Sequence, residues 1–115
     1  MPRYVKASDI FRDIRSTYRS ESRESETSIF KSFTRPKLLI IDEAQERAET
    51  EFEDRALTHI IDKRYDSMLH TVIISNLTKD ALAKSLGTSI VSRIHETGDV
   101  IECNWPSFRE AAHGT

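Results

Sequence analysis

The chain has 115 residues, enough for one small domain with a core of modest size. With 37% hydrophobic and 31% charged residues and a formal charge of -2, its composition is globular; it exerts no global pull toward nucleic acid or membrane, although a local basic patch stays open. Its one cysteine, Cys103, excludes an internal disulfide framework, and the opening Met1-Pro2-Arg3-Tyr4-Val5-Lys6 is neither a signal peptide nor a membrane span, so a soluble, cytoplasmic protein is expected.

In chain order, Tyr4-Val5 reads as the tail of a strand. Ser8 is expected to cap a helix with Ile10, Phe11, Ile14 and Tyr18 on one face. The polar run 20–25 reads as a loop, followed by a short helix presenting Ile29, Phe30 and Phe33, which Pro36 should end. Leu38-Leu39-Ile40-Ile41 and Thr71-Val72-Ile73-Ile74 are continuous apolar runs, as expected of strands buried on both faces of a parallel sheet. Between them, the rows Phe52/Ala56/Ile60 and Leu57/Ile61/Tyr65 predict a helix over 52–65 with a broad buried face. The acidic residues Glu43, Glu46, Glu49, Glu51, Glu53 and Asp54 read as a solvated loop and a first helical turn. Thr78 is expected to cap a helix through Leu82 and Leu86 that stops at Gly87. A further helix over 88–95 buries Ile90, Val91 and Ile94, and Asp99-Val100-Ile101-Glu102-Cys103 reads as a last strand. Strands alternating with helices of this length predict an α/β fold, a parallel sheet with flanking helices, in a single domain over 1–115.

Chemistry concentrates at the ends of the two strong strands. Leu38-Leu39-Ile40-Ile41 runs into Asp42-Glu43, which puts two carboxylates at the C-terminal edge of the sheet, where α/β proteins bind ligands. In ATPases of this design the first acid holds Mg²⁺ and the second activates the attacking water. A strand simply leaving the core into a polar loop gives the same pattern. The next strand ends at Asn76, whose amide can polarise the same water, although Ser75-Asn76 also suits the opening of a turn. Arg93 and Arg109 carry the planar, permanently charged fork that suits a γ-phosphate, and the competing reading for each is an ordinary surface residue. His59, His70, His95, His113 and Cys103 show no metal-ligand spacing.

The run from Lys37 to Arg109 resembles the DnaC/IstB-type AAA+ ATPases, the bacterial and phage helicase loaders and transposition helpers. The similar segments are LLIIDEAQ (38–45), LTHIIDKRY (57–65), TVIISNLTKDAL (71–82), LGTSIVSRI (86–94) and VIECNWPSFR (100–109), and YVKASDIFRDIRSTY extends the likeness back to Tyr4. The resemblance implies that Asp42 and Glu43 are the Walker B pair, Mg²⁺ holder and catalytic base. It implies that Asn76 is the water-aligning sensor. Arg93 becomes an arginine finger acting on a neighbouring subunit's nucleotide, and Arg109 the second sensor, touching the γ-phosphate of its own. It also implies that residues 8–36 are a two-helix insertion facing single-stranded DNA and a neighbour, with Arg12, Arg15, Arg19 and Arg23 making it locally basic. Residues 37–109 would run from Walker B to sensor 2. ATP and Mg²⁺ are the implied cofactors. A replicative helicase or transposase, single-stranded DNA and further ATPase subunits are the implied partners, and no membrane is.

One departure matters. The phosphate-binding loop G-x-x-x-x-G-K-[ST] does not occur in these 115 residues, whose glycines are Gly87, Gly98 and Gly114. The family's strand order, 5-1-4-3-2, then lacks its first strand. The expectation is a truncated or split ATPase that hydrolyses no ATP alone. The alternative is a non-enzymatic module docking on a full-length ATPase or on single-stranded DNA. The last strand is expected either to move beside the Asn76 strand or to leave that edge for another chain.

Overall fold

Residues 2–17 and 26–98 are described by the computed structural model. Along them run β1 (Arg3–Lys6), α1 (Ala7–Ser16), α2 (Glu26–Thr34), β2 (Leu38–Asp42), α3 (Glu51–Asp66), β3 (His70–Ile73), α4 (Lys79–Leu86) and α5 (Thr88–Thr97). The polar run 20–25, Tyr18 and the candidate strand 99–103 lie outside the described residues.

The strands form a parallel sheet in the order β1-β2-β3. Tyr4 lies beside Ile40, Lys6 beside Asp42 and Ile40 beside Val72, so β2 is the central strand. Helical connections, α1 and α2 between β1 and β2 and α3 between β2 and β3, make parallel pairing possible.

Alternation splits the sheet into two unlike faces. Val5, Leu39 and Ile41 point into a core completed by Ile10, Phe11 and Ile14 of α1, Phe33 of α2, and Ala56, Leu57, Ile60 and Ile61 of α3. The other face carries Tyr4, Ile40 and Val72, of which Tyr4 is 57% and Val72 43% exposed. The expectation of burial on both faces is therefore corrected. The apolar runs are continuous, but the described helices cover one side.

Local rules account for most helix ends. Thr78 accepts from the Ala81 amide and starts α4, and Thr50 does the same for Glu53 at the start of α3. Gly87, with φ +88°, lets the chain pass directly from α4 into α5 in a conformation that a side chain would strain. α2 stops at Thr34, two residues before Pro36. The expected cap at Ser8 is a correction. The helix starts at Ala7, after an extended Lys6 that makes no side-chain cap bond, because Ala7 is already in the core and the turn must precede it.

A second correction concerns α3. Its buried face runs Glu53, Ala56, Leu57, Ile60, Ile61, Arg64, so a charged residue is enclosed at each end. Arg64, fully buried, donates from Nε to Thr71 Oγ1 at 2.8 Å, from Nη1 to the Phe33 carbonyl at 3.1 Å and from Nη2 to the His70 carbonyl at 2.7 Å. One guanidinium thereby ties α2, α3 and β3 together at the sheet's N-terminal edge. Burial pulls its pKa below the usual arginine value.

Candidate functional site at the C-terminal edge of the sheet

Parallel pairing sends the ends of all three strands to one edge. The Ile74 amide donates to the Ile41 carbonyl at 2.8 Å, and the Ala44 amide returns to the Ile74 carbonyl at 3.0 Å. Asp42-Glu43 and Ser75-Asn76 therefore leave adjacent strands at the same edge.

Asp42 is gripped from two sides. The Tyr4 hydroxyl of β1 donates to Oδ2, and the Glu43 amide donates to Oδ1 at 2.7 Å. Glu43 adopts φ +51°, the left-handed region, which costs a non-glycine residue about 1–2 kcal/mol. Strain of this kind concentrates at functional sites. The hydroxyl, then the amide, hold the Asp42 carboxyl below its ordinary range; desolvation pushes it back up by less than these, and the charge of Lys6 adds the smallest downward pull. The same carboxylate raises the pKa of Tyr4. Lys6 Nζ stands 3.7 Å from Glu43 Oε2, an exposed and weak ion pair. Tyr4 and Lys6 were not singled out by sequence reasoning. Their alternation puts them on one face, but only the β1–β2 register shows that this face is the one carrying Asp42.

The loop after Glu43 is fastened by two enclosed charges. The Arg47 side chain, 1% exposed, reaches Asp54 Oδ1 at 2.8 Å and also donates to the Ser85 carbonyl of α4. Glu53, 3% exposed, accepts from the Ala48 amide at 2.9 Å and from Arg15 Nη2 at 2.7 Å. The acidic stretch is thus not wholly solvated: Glu53 is a buried fastener between α1, α3 and this loop.

The other expected residues fall elsewhere. The Ser75 hydroxyl accepts from the Leu77 amide at 3.1 Å, a turn that leaves Asn76 exposed at the strand end. Arg93 sits on α5 against α3, with Nε 3.3 Å from Asp62 Oδ1 and its guanidinium 4.7 Å from the centre of the Tyr65 ring. Arg15 stands against Glu53 and over the Phe52 ring, and Arg12, well exposed, pairs with Asp9 at 3.2 Å. Arg19, Arg23 and Arg109 lie outside the described residues. Two shallow cavities, about 390 Å³ beside Lys31 and Arg35 and about 370 Å³ beside His59 and Asp62, include none of the edge residues. Among the described residues no His, Cys, Asp or Glu trio is grouped for a metal, and no helix is long and apolar enough to cross a membrane.

No protein-family model matches the chain. The replicative helicase loader DnaC of Buchnera aphidicola subsp. Baizongia pistaciae is 28% identical over 111 residues, and DnaC of Escherichia coli K12 is 26% identical over the same length. Each alignment takes in 96% of this chain, and the chain spans 45% of the length of either relative. A crystal structure of the DnaC helicase loader superposes with a TM-score of 0.64 at 21% identity, covering 84% of this chain and 57% of that one. The chain is homologous to the DnaC helicase loaders over nearly all of its residues, and it shares their α/β fold.

Proposed function

We propose that these 115 residues are the acid-edge and arginine portion of an AAA+ ATPase core of the helicase-loader type, and that they do not hydrolyse ATP by themselves. The observation carrying this reading is the parallel β2–β3 pairing, with Asp42-Glu43 and Asn76 at one edge of adjacent strands. Asp42, ionised and hydrogen-bonded at both oxygens, fits an anchor that holds Mg²⁺ through water. Mg²⁺ sites of this kind rely on one or two carboxylates plus substrate phosphates. Bound with ATP, the cation would draw negative charge from the phosphates. Glu43 would take the proton of the attacking water, and Asn76 would orient that water. Arg109 would read the γ-phosphate in cis. The phosphate cradle has no counterpart in this sequence, and electrostatic stabilisation there supplies much of the catalysis. A second chain or segment bearing that cradle completes the site. The DnaC relatives, loaders of a replicative helicase, make a helicase the favoured partner, with single-stranded DNA and neighbouring subunits beside it.

The test is steady-state ATP hydrolysis by the purified chain. No turnover above background is expected. Turnover that disappears in Glu43→Gln defeats the proposal that the chain is inactive alone.

A docking module without catalysis is the second reading, favoured by the exposed Arg12 on α1 and by Arg93, whose terminal amino groups make no hydrogen bond among the described residues. Its DNA arm is read by titrating a labelled single-stranded oligonucleotide. Binding through phosphates should weaken steeply between 50 and 200 mM salt, by roughly tenfold or more for several contacts. Salt-independent binding, or none, removes that arm.

A further inference from the structure

Arg93 is not an ordinary surface arginine. Asp62 and Tyr65 stand one turn apart on α3, Arg93 and Glu96 one turn apart on α5, and the two pairs face each other. The Tyr65 hydroxyl donates to Glu96 Oε2, which fixes the ring. The ring in turn covers one face of the Arg93 guanidinium at 4.7 Å. Arg93 Nε and Asp62 Oδ1 are both shut off from water and lack a hydrogen bond in the described structure; at 3.3 Å each is the other's electrostatic partner. What remains of the fork is its outer edge. The two terminal amino groups make no hydrogen bond among the described residues, although the side chain stays 34% exposed. A guanidinium held by its inner edge and one face, with its outer edge unpaired among the described residues, is arranged to take two anion oxygens from outside.

We propose that Asp62 and Tyr65, with Glu96 behind the tyrosine, are positioning residues that hold the Arg93 fork outward for a phosphate carried by another chain. This rests on reading the chain as part of a helicase-loader-type ATPase core, in which Arg93 takes the part of the arginine finger acting on a neighbouring subunit's nucleotide, and it adds which residues set the geometry of that fork. A flexible arginine must lose rotamer freedom each time it binds; here the ring and the carboxylate have removed part of it beforehand.

The experiment uses the full chain labelled with ¹⁵N-arginine. It measures proton exchange at each Nε–Hε, alone and during titration with inorganic pyrophosphate. Arg93 should exchange more slowly than Arg12 and Arg55, whose side chains are 73% and 72% exposed. Asp62→Asn and Tyr65→Leu should each speed Arg93 exchange and weaken its pyrophosphate response by up to about fivefold, the span of a part-exposed ion pair. Tyr65→Phe, which keeps the ring but frees it from Glu96, should lose part of both, less than Tyr65→Leu does. Unchanged α5 backbone amide signals in a uniformly ¹⁵N-labelled sample separate loss of positioning from loss of fold. Arg93 exchanging as fast as Arg12, or unmoved by Asp62→Asn and Tyr65→Leu, overturns the positioning. Slow exchange with no pyrophosphate response at Arg93 instead overturns the phosphate role on which the proposal rests.

Discussion

The two faces of the sheet are built from equally apolar strands and meet different surroundings. On one, Leu39 and Ile41 are at most 1% exposed; on the other, Val72 and Ile74 are 43% and 44% exposed one strand away. The difference lies in coverage, since α1 and α3 pack on the first face and the described helices leave the second open. Hydrophobic content tells where a strand is but not how many layers lie over it. The open face also carries the polar work: Asp42, Tyr4 and Lys6 all sit on it, by register with Ile40 and Val72.

The sharpest way to break this comparison is to truncate one residue on each face. Leu39→Ala should cost about 3–4 kcal/mol, transfer plus cavity, in urea unfolding of the chain. Val72→Ala should cost well under half of that, about 0.5–1 kcal/mol, since the side chain is already wet in part. Equal losses would mean that the open face is covered in solution.

Next in size is Arg64, whose three hydrogen bonds lie at the opposite edge from Asp42. Arg64→Met keeps the length but leaves the carbonyls of Phe33 and His70 without these donors, at about 1–3 kcal/mol in total. The loss should appear equally at pH 5 and pH 8. A loss below 0.5 kcal/mol, the ordinary range of surface changes, would mean that water replaces the fork.

Arg64 also marks how far the sequence was legible. The α/β alternation, the α3 and α4 helices and the Thr78 cap follow from periodicity and capping chemistry that act over a few residues. The enclosure of Arg64 and Glu53 is legible in the sequence too. The spacing 53, 56, 57, 60, 61, 64 is a single helical stripe, and extending the apolar part by one turn at each end lands on both charges. That Arg15 answers Glu53, and that Tyr4 answers Asp42, was not legible. Each pair spans 38 positions and depends on how elements dock. The acid edge was readable because a parallel sheet sends every strand end the same way, whatever the docking details.

The smallest effect is also the most specific to the open face. Tyr4→Phe removes the hydroxyl that does most to keep the Asp42 carboxyl below its ordinary value. The carboxyl ¹³C titration should therefore move up toward the unperturbed 3.8, with the Glu43 amide and Lys6 still holding it somewhat lower. The sign for stability follows by linkage. A carboxyl depressed in the fold stabilises it above the unfolded pKa, and that contribution is lost as pH falls through the folded value. The raised tyrosine works in reverse: its contribution is present below the unfolded tyrosine pKa and fades as pH rises through the folded one. The stability gap between the parent chain and Tyr4→Phe should thus be flat near neutrality, closing at both acid and alkaline ends. Both groups are exposed, so the gap is small and the ¹³C shift is the firmer reading. An Asp42 titration unmoved by Tyr4→Phe would show that the edge is organised by the Glu43 turn alone, with β1 contributing only backbone.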